Sequence, residues 1–325
     1  MKKAYLIISV LFLVNHNIFS QNLHKVDNIV KHYPEINSIK ELAEKVNYDF
    51  KNSDLEKIRA IYTWIGLNLE YDDLSYNSKL LKSPELVFYY DKDDLEWIKR
   101  RKIKEIAKKT FYTKKGLCTG YAYLFYTLCN LMNIDNELIY GYTKTSFRDI
   151  GVIPDSKNHV WNTVKINDKW LFFDITYGSG YTYKGVWQRK MNYAFFNADK
   201  NLLKLTHFPS DQKWNRHIEQ KKLNQFCYDP FYQQAYLKNK IEIIKPKIGE
   251  IIVNKKEKIK LTLKKSKKIN DIKYLYLHDN KIYSAQIDNR DDSFTSIYFK
   301  NPKKNTSLHI YINNELALEY KITVH

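Results

Sequence analysis

Three side chains set the chemistry open to this sequence. Cys118 stands in Lys115-Gly-Leu-Cys-Thr-Gly-Tyr121 at the start of a predicted helix, His159 lies in an Asn158-His-Val-Trp161 strand, and Asp174 ends Trp170-Leu-Phe-Phe-Asp174. A thiol, an imidazole and a carboxylate are the minimum set for acyl transfer through sulfur. The imidazole takes the thiol proton, and the carboxylate fixes the ring's tautomer and supports the imidazolium. At a helix N-terminus the thiolate also feels unpaired backbone N–H groups and the helix dipole, which lower its pKa from about 8.5 toward neutrality. The N–H of Cys118 is itself a candidate oxyanion donor. Taken singly, each residue has a plainer reading: a structural thiol, a strand-edge histidine, a turn carboxylate. Their order and shared face favour the functional one.

That shared face depends on a hairpin. If Asn167-Asp168 forms a two-residue turn, Ile166 pairs with Lys169, Trp161 with Asp174 and His159 with Thr176. Alternation then puts His159, Trp161, Asp174 and Thr176 on one face, with His159 and Asp174 diagonal at a Cα separation of about 7–8 Å. A one-residue slip would separate them. Trp161 is therefore a candidate cleft-lining residue. Trp64 is a second, although its helical spacing beside Ile61 and Ile65 equally fits a core position. Lys114 and Lys115 read first as solvated loop charges and second as supports for the thiolate.

Other elements must hold this set. Ser38-Ile-Lys-Glu41 and Ser53-Asp-Leu-Glu56 match the capping-box pattern, each ahead of apolar residues at helical spacing. The second helix carries the stripe Leu55, Ile58, Ile61, Ile65 and Leu69. A basic helix is predicted from Asp93 to about Lys109 with a solvated charged face, and a largely buried one over Thr119 to Met132. Strands are predicted at Glu137 to Tyr142, His159 to Ile166 and Lys169 to Thr176. Residues 177–235 carry no clear period. Beyond Lys240, runs at Lys258 to Leu263, Ile272 to Leu277, Phe294 to Phe299 and Ser307 to Ile312 predict a small antiparallel, immunoglobulin-like sandwich of seven or eight strands.

The 325 residues, 44% of them hydrophobic, can bury a real core. Residues 1–20 have Met-Lys-Lys, then an apolar run from Ala4 to Val14, and read as a secretory leader cleaved after Ser20. The run is too short to span a bilayer. Mass spectrometry of the exported protein is expected to find Gln21 at its N-terminus; an intact Met1 would overturn the leader. Removing Lys2 and Lys3 with it takes the net charge from +18 to +16. That charge is spread over the whole chain, which argues against nucleic acid as partner and favours nonspecific attraction to anionic cell-surface material. Three cysteines, Cys118, Cys129 and Cys227, enter an oxidising compartment, so at least one stays free. On one helix Cys118 and Cys129 would lie about 16 Å apart, beyond bridging reach. Cys227 is left open to pair with either.

These residues resemble the transglutaminase-like superfamily, closest to its bacterial, kyphoscoliosis-peptidase-like branch. Lys57-Ile-Arg-Ala-Ile-Tyr-Thr-Trp-Ile65, with Tyr71-Asp72, is similar to the family's helix before the nucleophile, and Gly116-Leu-Cys-Thr-Gly-Tyr-Ala122 to its cysteine motif. Asn158-His-Val-Trp-Asn162 and Trp170 to Gly178 are similar to its His and Asp motifs, while Tyr193-Ala-Phe-Phe-Asn197 and His207 to Trp214 follow in the expected place. The resemblance covers roughly 35–225. It implies an α+β fold, with a papain-like transglutaminase core of helices packed on an antiparallel sheet, followed by the all-β sandwich. The expected division is a leader over 1–20, a transglutaminase-like domain over 21–238 and a β-sandwich domain over 239–325. By position Cys118 would be the nucleophile, His159 general base and then acid, and Asp174 the orienting carboxylate.

The implied reaction is a Cys118 thioester on a peptide or protein substrate, with no cofactor and no metal required. Water as acceptor makes a cysteine peptidase or amidase, and an amine makes a protein-glutamine transglutaminase. Domains of the family also serve as non-catalytic surface-binding scaffolds. Two departures stand out: Asn-Arg-His follows Trp214, and Thr119 follows the nucleophile where classical cross-linking enzymes carry an aromatic residue.

Overall fold

The computed structural model describes residues 23–72, 90–183, 185–239, 241–264, 271–279 and 281–325. The leader over 1–20 lies outside the described residues. Contacts divide the chain into two units: residues up to 140 with 159–199, and 141–158 with 200–325.

The first unit is built around five helices. These are α1 (23–31), α2 (Ile39–Asp49), α3 (Asp54–Asn68), α4 (Lys92–Thr113) and α5 (Cys118–Leu131). Local chemistry starts three of them. Ser38 Oγ accepts from the Glu41 N–H at 3.0 Å, Ser53 Oγ from the Glu56 N–H at 3.3 Å, and the Asp91 carboxylate from the Asp94 N–H at 2.8 Å. In contrast, α5 has Leu117 at its N-cap and no side-chain cap. Helix α3 is buried on all sides from Ile58 to Gly66, more than its apolar stripe predicts, because α2, α5 and a later helix all pack on it. The basic side chains of α4 lie outward, as expected, while Ala107, Thr110 and Phe111 face in. Gly120 lets α5 approach α4: a Cβ there would come within 2.5 Å of Thr110 Oγ1.

Strands β1 (Glu70–Tyr71) and β2 (Lys115–Gly116) pair in parallel, Tyr71 opposite Gly116, and so fix the chain just before Cys118. β3 (Asn136–Thr143) adjoins β4 (His159–Ile166), which forms a hairpin with β5 (Lys169–Phe173). The expected register holds from Ile166 opposite Lys169 through Asn162 opposite Phe173. Asn167 and Asp168 have φ of 49° and 59°, the left-handed pair that a type I′ turn needs.

Beyond Phe173 the expected strand does not continue. The Asp174 N–H donates to the Phe195 carbonyl at 3.0 Å, and its side chain caps a short helix, α6 (Ile175–Ser179). Thr176 is therefore helical and does not pair with His159. Gly178 permits α6 to sit on α3, since a Cβ would fall 1.7 Å from Tyr62 Oη. A β6 (Gly180–Tyr183) and β7 (Val186–Arg189) hairpin follows.

In the second unit, Gly141–Thr143 at the end of β3 pair with β8 (His207–Pro209). Short helices α7 (Lys200–Thr206), α8 (Gln212–His217), α9 (Leu223–Tyr228) and α10 (Gln234–Lys238) account for much of the stretch without a period. Strands β9 (Phe231–Tyr232), β10 (Ile243–Lys245), β11 (Glu250–Val253), β12 (Ile259–Lys264), β13 (Ile272–Tyr276), β14 (Ile282–Ser284), β15 (Gln286–Asp288), β16 (Phe294–Phe299), β17 (Thr306–Ile312) and β18 (Glu315–Val324) form two sheets. One runs β10-β12-β16-β15, the other β11-β18-β17-β13-β14 with β9 also on β18. Leu261, Leu263, Ile297 and Phe299 from the first meet Tyr274, Leu308, Ile310 and Tyr320 from the second in one core. The sandwich is not wholly antiparallel: β11 crosses over to run parallel with β18. Among the described residues no helix is long and apolar enough to cross a membrane.

Candidate active site

Cys118, His159 and Asp174 all belong to the first unit, and three different local devices present them. Cys118 is the first residue of α5, half-buried at the uncapped end, where the first-turn N–H groups have no side-chain acceptor. His159 is the first residue of β4. Asn162, further along that strand, donates from Nδ2 to the Ala122 carbonyl at 3.0 Å and ties β4 to the second turn of α5. Asp174 is the N-cap of α6, with Oδ1 accepting from the Tyr177 N–H at 3.0 Å.

Oδ2 of Asp174 is thereby left for His159, whose Nε2–H donates to it at 2.6 Å. Both side chains are buried, so this contact is charge-assisted in a poorly solvated place. With Nε2 engaged, Nδ1 is the ring nitrogen left for the hydrogen bond with the Cys118 thiol. Burial opposes charge on the imidazole, yet Asp174 and the Cys118 sulfur outweigh it and push the His159 pKa up to about 10. Burial likewise works against the thiolate. The His159 hydrogen bond and charge, helped by a hydrogen bond from the Val160 backbone, overcome it and hold Cys118 below the ordinary 9.0. The two directions describe one object, a thiolate–imidazolium pair supported by a carboxylate.

Trp161 and Tyr177 flank the imidazole. The Trp161 ring lies 5.9 Å from that of His159 with 22° between planes, and Tyr177 at 5.2 Å with 48°. Trp161, only 1% exposed, thus shields the histidine more than it faces a ligand. The Tyr123 and Tyr140 hydroxyls meet at 3.0 Å, and the Cys118 charge reaches Tyr123.

Trp64 is placed elsewhere. It stacks on Phe111 at 5.3 Å with the Lys114 ammonium 4.6 Å from its ring centroid. Trp64 and Lys114 border a separate cavity of about 320 Å³ that Glu35 and Asn68 also line. Lys114 is therefore an aromatic-bound cation, not a support of the thiolate. Cys118, Cys129 and Cys227 are all free thiols, and burial raises the pKa of both Cys129 and Cys227.

Tyr177, Tyr123 and the Val160 N–H are contributors that the sequence did not single out. Only Tyr177 had a signal, as the third residue after an N-capping aspartate.

The family model for the transglutaminase-like superfamily matches residues 40–175, a span that holds all three side chains. The kyphoscoliosis peptidases of Homo sapiens and Mus musculus are each 27% identical to this chain over 188 residues, 57% of its length. The chain covers 25% of those relatives' own length. A solved TGase structure is 17% identical at a TM-score of 0.30, covering 55% of this chain and 41% of that one.

Proposed function

Since residues 40–175 form a transglutaminase-like superfamily domain, we propose that this chain is an exported cysteine peptidase or amidase working through a Cys118 thioester. The observation that carries the reading is the relay in one unit: Cys118 at an uncapped helix start, bonded to His159, itself bonded to Asp174 at 2.6 Å. The peptidase named among the relatives, and Thr119 in place of an aromatic residue, favour water over an amine as the final acceptor.

The Cys118 thiolate attacks the carbonyl carbon of a peptide-type substrate, and the π electrons move to oxygen. The Cys118 N–H at the start of α5 donates to that oxyanion. As the tetrahedral species collapses, the C–N bond breaks and His159 Nδ1–H passes its proton to the departing amine. The imidazole, now neutral, takes a proton from water, whose oxygen attacks the thioester carbon. Collapse expels the Cys118 thiolate and releases the acid. Asp174 keeps its proton-free state and its bond to Nε2 throughout. Substituting an amine for water gives the transglutaminase alternative by the same path.

Two measurements on the full chain test this. Iodoacetamide is expected to label Cys118 faster than a free peptide cysteine at neutral pH; equal rates would leave catalysis without its basis. With a glutamine-containing protein and a fluorescent primary amine present, hydrolysis, read as new amino termini or released ammonia, is expected without amine incorporation. Incorporation would replace the hydrolase by the transferase.

A further inference from the structure

We infer that the second unit carries a saccharide site, a tyrosine-walled pocket between α9, α10 and the start of the sandwich that takes a carboxylate-bearing sugar. The cavity measures about 590 Å³, and every residue lining it belongs to that unit. This is the size of a small-ligand site. The rings of Tyr232 and Tyr236 stand 4.8 Å apart at 55°, and Tyr228, 44% exposed, is at its surface. The Tyr236 oxygen accepts from the Ile243 backbone. The hydroxyls of Tyr228 and Tyr232 have no protein partner among the described residues.

Beyond those two hydroxyls, the nitrogen groups left over at the pocket are donors. Asn224 Oδ1 is taken by the Gln225 N–H at 2.8 Å and Gln225 Oε1 by the Lys222 N–H at 3.3 Å, which leaves both amide NH₂ groups as the open ends. Lys247 is exposed and has no acidic partner among the described residues. The two carboxylates at the pocket are both engaged, Asp229 by Lys221 and Glu242 by Lys264. A ligand must therefore bring acceptors, one negative charge and an apolar face for tyrosine rings. A pyranose carboxylate brings all three, in its ring and hydroxyl oxygens, its carboxylate and its C–H face. An extended peptide would bring as many N–H donors as carbonyls, and for those donors the side chains at the pocket offer only the two tyrosine hydroxyls and the carboxylate oxygens that Lys221 and Lys264 leave over. A phosphate dianion would find one uncommitted ammonium.

The wall is also held in place before any ligand arrives. Buried Lys144 donates from Nζ to the carbonyls of Phe226 at 2.8 Å, Asp229 at 2.9 Å and Pro230 at 3.1 Å. The Gly249 N–H donates to the Tyr228 carbonyl at 2.7 Å. Such prior order lowers the cost of binding.

Calorimetric titration of the full chain with trigalacturonate, maltotriose and trialanine tests the inference. Trigalacturonate is expected to bind with a Kd below about 1 mM, with the other two at least about tenfold weaker. Lys247→Ala should erase the preference for trigalacturonate over maltotriose, whereas Tyr228→Ala should weaken both sugars. Both side chains are exposed, so an unchanged melting temperature is expected alongside. Silence with both sugars, preference for trialanine, or a trigalacturonate affinity unmoved in both variants would overturn the site. Equal binding of maltotriose would overturn the carboxylate.

Discussion

His159→Ala is expected to lower turnover by about 100- to 10,000-fold and to move the pH at which Cys118 reacts with iodoacetamide upward, past the ordinary thiol range. Burial is the largest influence on the Cys118 thiol and it raises the pKa; the imidazole beside it does most to reverse the sign, with the Val160 hydrogen bond adding to it. Remove the ring, and only the Val160 hydrogen bond is left against desolvation. The intact protein should alkylate below pH 9.0, with a second change near 10 as the imidazolium gives up its proton. These are two steps of one coupled pair. Identical rate–pH curves for the two proteins would refute the ion pair. Asp174→Asn separates charge from architecture, because asparagine also caps helices and can keep α6 in place. It should retain the melting temperature yet lose the support that lifts His159, so the upper step falls below 10.

The same pair shapes stability in a defined window. Between the ordinary values of 6.5 for histidine and 9.0 for cysteine, the unfolded chain carries one proton on the two groups, on the thiol. The folded chain holds the imidazolium there, and wherever its lowered Cys118 thiol has also ionised the two counts are equal and stability is indifferent to pH. From 9.0 to about 10 the unfolded thiol has lost its proton and the folded imidazolium has not, so stability falls as pH rises.

What the sequence disclosed about this site was what neighbouring residues determine. Asn167-Asp168 announced its own left-handed turn, and from it the register down to Asn162 opposite Phe173 follows by counting. The glycines around Cys118 and the lack of a capping side chain are equally local. Asp174 marks the limit. Alternation carried the expected strand through it to Thr176, whereas the Phe195 carbonyl, 21 residues on, captures its N–H and turns the chain into α6. His159 and Asp174 still meet, but through a helix cap instead of a ladder. Trp64 gave the right spacing for burial and no clue to its neighbours, since Phe111 and Lys114 arrive from α4 and its end. The stretch after Ser179 stayed opaque because elements of three to seven residues owe their shape to what packs on them, as at α7 and α8. Nor does any composition change mark 141–158 as part of the second unit.

Asp27→Ala is expected to destabilise the first unit by about 3–5 kcal/mol, a loss that no residue pattern announces. Asp27 and Arg59 are each 4% exposed. The guanidinium donates from Nε and Nη2 to the two carboxylate oxygens, both at 2.8 Å, and Thr63 Oγ1 adds a bond to Oδ1 at 2.6 Å. Taking away the carboxylate strands a cation in the core, which costs more than the pair contributes when intact. The cation cannot easily turn to water, because it is stacked 3.6 Å from the Tyr193 ring centroid and 4.7 Å from that of Phe196. Those rings continue to the site: Phe196 bridges to Phe173, and the Phe195 carbonyl holds the Asp174 N–H. A melting temperature lower by about 10 °C or more is expected for Asp27→Ala, while Asp27→Leu combined with Arg59→Met should recover most of it. At a temperature where the variant is folded, alkylation of Cys118 should slow far less than in His159→Ala, because the ion pair carries α1 and α3 and not the proton. A single variant that melts with the parent protein, or a double variant no better than the single, would show that the buried charge is not what α1 contributes.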